Sequence, residues 1–461
     1  MDTCWLGCFE HLTKQPARWQ HVFHEAGIAI QPLKDITLYG YKKFTDGFGE
    51  SEIYIPFLSF SSLGEKLDAR EIKAKAKENE QQLVQFLRDL IAIPSFSGEE
   101  GKVIERIGQE MKSVGFDEVF VDHMGSIVGR IGNGKTKILF DSHIDTVGIG
   151  DPRAWKFDPF RGKVENGIIY GRGASDNKAA IACMVYAGKI IKQLGLESDY
   201  TFYAAGIVQE EDCDGLAARS LIEDYGLRPD YVVLGECTNL DIYRGHRGRL
   251  EIIVRTKGRS CHASAPERGE NAVYKMMPIV KGIEKLNAKL KKDKFLGKGS
   301  IAVTHIDCKT PSYNAVPDEC SIYLDRRLTF GEDKELAVSE IKNLKEFGDA
   351  EIEIPVYEKP SYKGFVKKVE KYFPAWALDE HHVLVQNGLE CAKAILERKP
   401  AISKWVFGTD GSYTMGIAKI PTIGFGPGRE EHSHTVEDQV PIEHLVISTA
   451  FYALLPQMFM R

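Results

Sequence analysis

The sequence lacks most of what marks a specialised class of protein. No apolar run approaches the ~18 residues of a membrane-spanning helix, and no basic segment with an apolar core stands at the amino terminus. Neither a membrane protein nor a secreted one is therefore expected. Neither charge dominates: 60 Lys+Arg against 66 Asp+Glu leave a net −6, which offers no electrostatic footprint for nucleic acid or an anionic membrane. Internal repeats and low-complexity tracts are missing. The nine cysteines are odd in number and scattered without a CxxC pair, which suits reduced thiols in a cytoplasm rather than a disulfide framework.

What is present is an ordinary globular composition, 43% hydrophobic and 27% charged, in 461 residues, enough for two or three domains. Residues 1–70 read as an N-terminal extension of unknown role. Their Cys4, Cys8, His11, His21 and His24 fit structural-zinc spacings poorly.

From about residue 76 the pattern becomes regular. Leu83, Phe86, Leu87, Leu90 and Ile91 share one helical face, and Val103, Ile104, Ile107 and Met111 mark a second helix. Short strands around 119–121 and 127–128 precede KILFDSH. Helix 177–194, strand 201–208, helix 216–225 and strand 231–234 follow. Apolar strands alternating with helices predict an α/β fold, a largely parallel sheet covered on both faces, over residues 71–246 and 361–461. Residues 247–360 have the order β-α-β-β-α-β, a ferredoxin-like domain inserted as a lid or dimerisation element. GRIGNGKT (129–136) matches the P-loop pattern, but Thr136 leads into a strand rather than a helix, so no phosphate cradle is expected. The GNGK stretch reads as a hairpin turn.

Ligands of such sheets bind beyond the carboxyl ends of the strands. Those ends deliver His143 and Asp145 after KILFD, Glu210 and Glu211 after FYAAGIVQ, and Glu236 after YVVLG. Asp176 precedes the next helix, and His434 follows the strand PTIGFG. One rim crowded with imidazoles and carboxylates suits divalent metal, because the acids repel unless cations lie between them. Two ions would need a bridging ligand. Adjacency alone leaves open which of Glu210 and Glu211 ligates.

HIDTV, WKFDPF…GIIYGRGASDNK, QEED, GECT and HTVED together resemble the M20 family of metallopeptidases and deacylases, which includes aminoacylases, acetylornithine deacetylase and succinyl-diaminopimelate desuccinylase. YRGHRG, SAPERG, AVPDEC, DRRLT and GFGPG resemble its subgroup labelled selenium-metabolism-linked hydrolases. The resemblance covers about residues 76–461. It implies a two-metal hydrolase of amide bonds in a dipeptide, N-acyl amino acid or related small molecule, zinc being the expected ion and cobalt or manganese the alternatives. It further implies His143 and Glu236 on one ion, Glu211 and His434 on the other, Asp176 bridging, Asp145 fixing His143, and Glu210 as general base. His262 is implied to act across a homodimer on the oxyanion, with Asn314 and Arg326 binding substrate; a guanidinium there would favour a carboxylate-bearing one. Asp410 in FGTDGS is expected to border the site. One departure is that His434 is followed by Thr-Val-Glu-Asp where the family commonly has x-x-Asn/Asp-Glu, and His432 stands close enough to compete as ligand. The competing readings are a carbamoyl or other C–N hydrolase of nitrogen or purine catabolism and a non-catalytic binding protein on the same fold.

Overall fold

A computed structural model describes residues 41–45, 52–56 and 69–460. The chain falls into two units, Met1–Leu67 and Asp68–Arg461. In the first, β1 (Tyr41–Thr45) pairs antiparallel with β2 (Glu52–Pro56). The Cys4, Cys8, His11, His21 and His24 group lies outside the described residues.

The second unit opens with helices α1 (Ala69–Glu78), α2 (Glu80–Ile91) and α3 (Gly101–Ser113). The apolar faces read in α2 and α3 are buried; α1 was not anticipated. Then come β3 (Glu118–Val121), β4 (Ile127–Ile131), β5 (Thr136–His143), α4 (Lys178–Leu194), β6 (Tyr200–Ile207), α5 (Leu216–Glu223), β7 (Tyr231–Leu234) and β8 (Ile242–His246). Helix α4 is almost wholly buried because Ala, Ile, Met and Val occupy every side of it. It ends at Gly195, whose φ of 60° is left-handed and comfortable only for glycine.

A second series contains β9 (Gly248–Lys257), α6 (Ala272–Lys289), β10 (Ser300–Lys309), β11 (Glu319–Leu328), α7 (Lys334–Lys342), β12 (Glu351–Glu353) and β13 (Tyr372–Phe373). The chain closes with β14 (Trp376–Ala377), α8 (Val383–Leu396), β15 (Ile402–Trp405), β16 (Thr422–Gly424) and α9 (Ile442–Leu454).

The large sheet has the order β14-β8-β16-β7-β5-β6-β4-β3, with β15 against β8. Its centre, β16-β7-β5-β6, is parallel and its flanks are mainly antiparallel, so the sheet is mixed. The central strands are covered on both faces, and β6 is buried at every residue. The GNGK stretch is not a hairpin, because β6 lies between β4 and β5. Its backbone instead bonds across to β6, Gly134 N donating to the Tyr200 carbonyl at 3.2 Å. A strand, not a helix, does follow it, as read.

The second sheet runs β10-β11-β9-β12, with β13 also on β9, and every pairing is antiparallel. Strands β9 and β11 alternate between buried residues and half-buried or exposed ones. The buried set, Leu250, Ile252, Val254, Ile322 and Leu324, forms a separate hydrophobic cluster with Met276, Ile279, Ile283 and Ile341 of α6 and α7. Each such side chain contributes about 1.5–3 kcal/mol on burial.

Candidate metal centre

The site lies at the carboxyl ends of the parallel centre. His143 is the last residue of β5, and the Gln209–Asp214 turn and Glu236 follow β6 and β7. Asp176 stands just before α4, but its side chain does not cap that helix. It reaches His143 instead, Oδ1 lying 2.9 Å from Nε2, and its other oxygen is 3.4 Å from His434 Nε2. His143 Nε2 is also 3.4 Å from Glu236 Oε1, and His434 Nε2 is 2.9 Å from Glu211 Oε2.

These residues, with Glu210, line a cleft of about 400 Å³ whose other walls include Asp214, Arg249, Arg327, Phe407, Glu430 and Ser433. Within it, ligand atoms of His143, Asp176 and Glu211, and of His143, Glu210 and Glu236, approach within 4.8 Å of one another. Geometry therefore keeps Glu210 among the donors and does not by itself separate base from ligand. Glu211 Oε1 is buried without a hydrogen-bond partner. An orphaned carboxylate oxygen among imidazoles and further carboxylates is a donor set that fits divalent cations.

Asp145 organises this rim. His143 Nδ1 lies 3.0 Å from the Asp145 carbonyl, which can only accept, so Nδ1 carries a proton and Nε2 faces the cleft. The Asp145 carboxylate sits 3.6 Å from Nδ1 and accepts from the Glu210 and Glu211 amides at 3.1 and 3.2 Å and from Ser97 Oγ at 2.6 Å. One residue thus seats the histidine through its carbonyl and the glutamate pair through its carboxylate. Gln209, just before that pair, has a left-handed φ of 55°, a conformation costing a non-glycine residue roughly 1–2 kcal/mol. The turn ends at Gly215 (φ 76°), where a Cβ would fall 2.7 Å from Tyr413 Cβ.

Crowding shapes the protonation. Burial pushes Glu210 and Glu236 well above the ordinary carboxylate range, although the His143 charge opposes it. Glu211 is raised by burial and by Asp176, with His434 pulling the other way. For Asp176 burial acts upward but its contact with His143 prevails, and the carboxyl is lowered. Burial would lower His143, yet Glu236, Asp145 and Asp176 hold it well above the usual imidazole value. The hydrogen bond to Glu211 raises His434.

The remaining sequence-derived residues divide. His432 half-buries its ring and takes a hydrogen bond from Gln439 Nε2 at 3.1 Å, away from the acidic group. Asp410 is buried behind the cleft, accepts from Gly215 N at 2.7 Å, and is raised by burial to about 6. His262 and Asn314 are brought to each other, not to the cleft: His262 bridges Ala315, and the Ala263 amide donates to the Asn314 carbonyl at 2.8 Å. Both side chains are exposed, the His262 ring receiving the Ser264 amide at 3.1 Å and Asn314 Oδ1 receiving Ser312 Oγ.

The expectation for Arg326 is corrected. It is fully buried and its terminal nitrogens are held by Glu332 at 2.9 Å, Glu340 at 3.0 Å and the Arg327 carbonyl at 2.6 Å. Its neighbour Arg327 lines the cleft, braced by Asp325 at 2.7 Å. The signal was in the sequence: Cys320, Ile322, Leu324 and Leu328 set the inward parity of the strand, and Arg326 shares it. Parity also places Arg249 opposite Leu250, facing the cleft. Glu100, Glu430 and Asp214 left no such signal.

A sequence profile of peptidase family M20/M25/M40 matches residues 139–457. YgeY of Escherichia coli K12, an uncharacterised protein, is 46% identical over 387 residues, spanning 84% of this chain and 96% of YgeY. Aminopeptidase PepT of Bacillus cereus shares the fold at a TM-score of 0.64 and 20% identity, over 83% of this chain and 99% of that one. YxeP of Bacillus subtilis, a dinuclear metal-binding peptidase of the M20 family, does so at 0.60 and 16%, over 82% and 98%.

Proposed function

Because this chain belongs to peptidase family M20/M25/M40 and is a metallohydrolase, we propose that it cleaves an amide C–N bond in a small peptide, N-acyl amino acid or related compound. The observation that carries this reading is the meeting of His143, Asp176, Glu211, Glu236, His434 and Glu210 around one cleft. His143 and Glu236 would hold one divalent ion and Glu211 and His434 another, with Asp176, in reach of both imidazoles, between them. Zinc is the expected ion, as two acids and an imidazole per site suit it; YxeP is the dinuclear precedent. When bound, such ions acidify water and polarise a carbonyl.

The chain's own residues do the rest. Glu210, held by its amide on Asp145, takes the proton of the attacking water and passes it to the leaving nitrogen. Burial raises its carboxyl above the ordinary range, the direction that favours taking up a proton. Arg327 binds a carboxylate of the substrate, the role that the resemblance implies for Arg326. His262 acts from the partner subunit, which accords with its place outside the cleft lining. The homodimer this needs is supported by β10, an edge strand of the second sheet, and by exposed Tyr274, Ile306 and Tyr313 near it. Residues 247–360 would form the inserted lid and dimerisation domain. No helix among the described residues is long and apolar enough to cross a membrane; the free cysteines described support a cytoplasmic setting.

The test is metal analysis followed by a screen of dipeptides, N-acyl amino acids and carbamoyl compounds against zinc- and cobalt-loaded protein. Close to two ions per chain and turnover of one class are expected. A protein that takes up no divalent metal sinks the reading.

A further inference from the structure

The turn bearing Glu210 and Glu211 is gripped from two directions. On the large-sheet side, Asp145 holds the two glutamate amides and Glu100 Oε1 accepts from Gln209 N at 3.1 Å. The opposite contacts all come from the second sheet and the chain leaving it. Tyr357 Oη accepts from Gln209 Nε2 at 2.9 Å and donates to Asp212 Oδ2 at 3.1 Å. Lys359 Nζ donates to the same Asp212 oxygen at 2.9 Å, and Lys371 Nζ to the Asp212 carbonyl at 2.8 Å. The Pro360 carbonyl accepts from Gln209 Nε2 at 3.3 Å. On β9, Arg249 Nη2 donates to Asp214 Oδ1 at 2.7 Å.

We propose that Tyr357, Lys359, Lys371 and Arg249 are positioning residues that set the directions in which Glu210 and Glu211 leave the turn. The inference rests on the reading that Glu211 ligates and Glu210 acts as base. Two neighbouring side chains serve different atoms only if the backbone between them keeps one set of torsions; the strand has ended, Gln209 is left-handed, and within the turn only the Cys213 amide, on the Gln209 and Glu210 carbonyls at 3.2 and 2.9 Å, closes it. The hold on Gln209 before the pair and on Asp212 and Asp214 after it adds to that bond and to the grip of Asp145 on the two glutamate amides. Tyr357 is buried and the Asp214 side chain nearly so, where hydrogen bonds gain strength from the low dielectric. No hydrogen bond or ion pair joins any of the four to a ligand side chain, so they act through the turn.

Cobalt(II) ion alone is a sufficient probe, read by its uptake and its visible d–d bands. The full-length protein, Tyr357→Phe and Tyr357→Phe/Lys359→Ala are titrated, with Lys359→Arg in the Tyr357→Phe background as the conservative rescue. The double variant is expected to bind its weaker cobalt at least about tenfold less tightly, with altered bands. It should also lose about tenfold in kcat at nearly constant KM on any substrate the wild type turns over. The arginine should restore part of both. Tyr357→Phe keeps its ring in the packing, so a folded variant is available even if the double one unfolds; it should show the same changes, smaller. Titrations and spectra superimposable on the wild type, with only a lower Tm, overturn the proposal while leaving the metal centre intact. A wild type that takes up no cobalt removes the centre itself, and the proposal with it.

Discussion

His434 Nε2 stands 2.9 Å from Glu211 Oε2, joining the loop after β16 to the turn after β6. The acidic residues that trail His434 do so in an unusual order, yet its ring still reaches the rim. His432 points to Gln439 instead. Replacing His434 by Ala is therefore expected to lower metal content from about two ions to about one per chain, whereas His432→Ala should keep both. Metal analysis after gel filtration decides it, and the opposite pattern would exchange their roles.

Glu210→Gln keeps the shape and removes the base. Metal content should be unchanged and kcat should fall by roughly 10²–10⁴, the usual worth of a positioned general base. Activity close to wild type would assign the base elsewhere, and loss of an ion would move Glu210 among the ligands.

Arg327 and Arg326 should part company. Arg327→Ala is expected to raise KM for carboxylate-bearing substrates by about tenfold or more at little cost in stability. Arg326→Ala strands Glu332 without its buried partner and should destabilise by about 3–5 kcal/mol. Urea melts beside steady-state kinetics separate the two.

Glu100 predicts a pH dependence. Burial first, and Asp145 second, push its carboxyl from 4.5 to about 7. Between those values the folded chain binds more protons than the unfolded one, so stability falls as pH rises. The contribution is full below about 4.5 and lost above about 7, some 3 kcal/mol in all at 1.36 kcal/mol per pH unit. Glu100→Gln, which can still accept from Gly98 and Gln209, should match the wild type near pH 4 and exceed it near pH 8 when both are melted in chelator. Equal curves at both pH values would remove this account.

Metal binding should release protons. His143 is held well above the ordinary imidazole value, and Glu211 and Glu236 above the carboxylate range, whereas ligands bind deprotonated. Affinity should thus rise with pH, and calorimetry in two buffers of different ionisation enthalpy should show net proton release. Identical heats in both would contradict it.

Much of this is legible in the sequence. Periodicity set the faces of α2 and α3, the run KILFDSH marked a central strand, and β-α-β-β-α-β order announced the second sheet, because burial patterns are local signals. The strand ends likewise delivered His143, Glu211 and Glu236 in order. Strand parity, also local, separates Arg327 on the cleft face from Arg326 in the core.

Pairing was not legible. Nothing in GNGK says that β6 will enter between β4 and β5, since the partner that Gly134 meets, Tyr200, lies far along the chain and hydrogen bonding between backbones carries no sequence code. The same holds for the site. The sequence by itself determined which donors exist and that adjacent Glu210 and Glu211 leave the sheet together at one rim. Only the tertiary structure decided that Asp145 seats both of their amides, that His434 rather than His432 arrives, and that Tyr357, Lys359, Lys371 and Arg249 close on the turn from the second sheet. Those contacts join residues far apart in the chain, and they form only where the packing of two sheets brings the partners within hydrogen-bond reach.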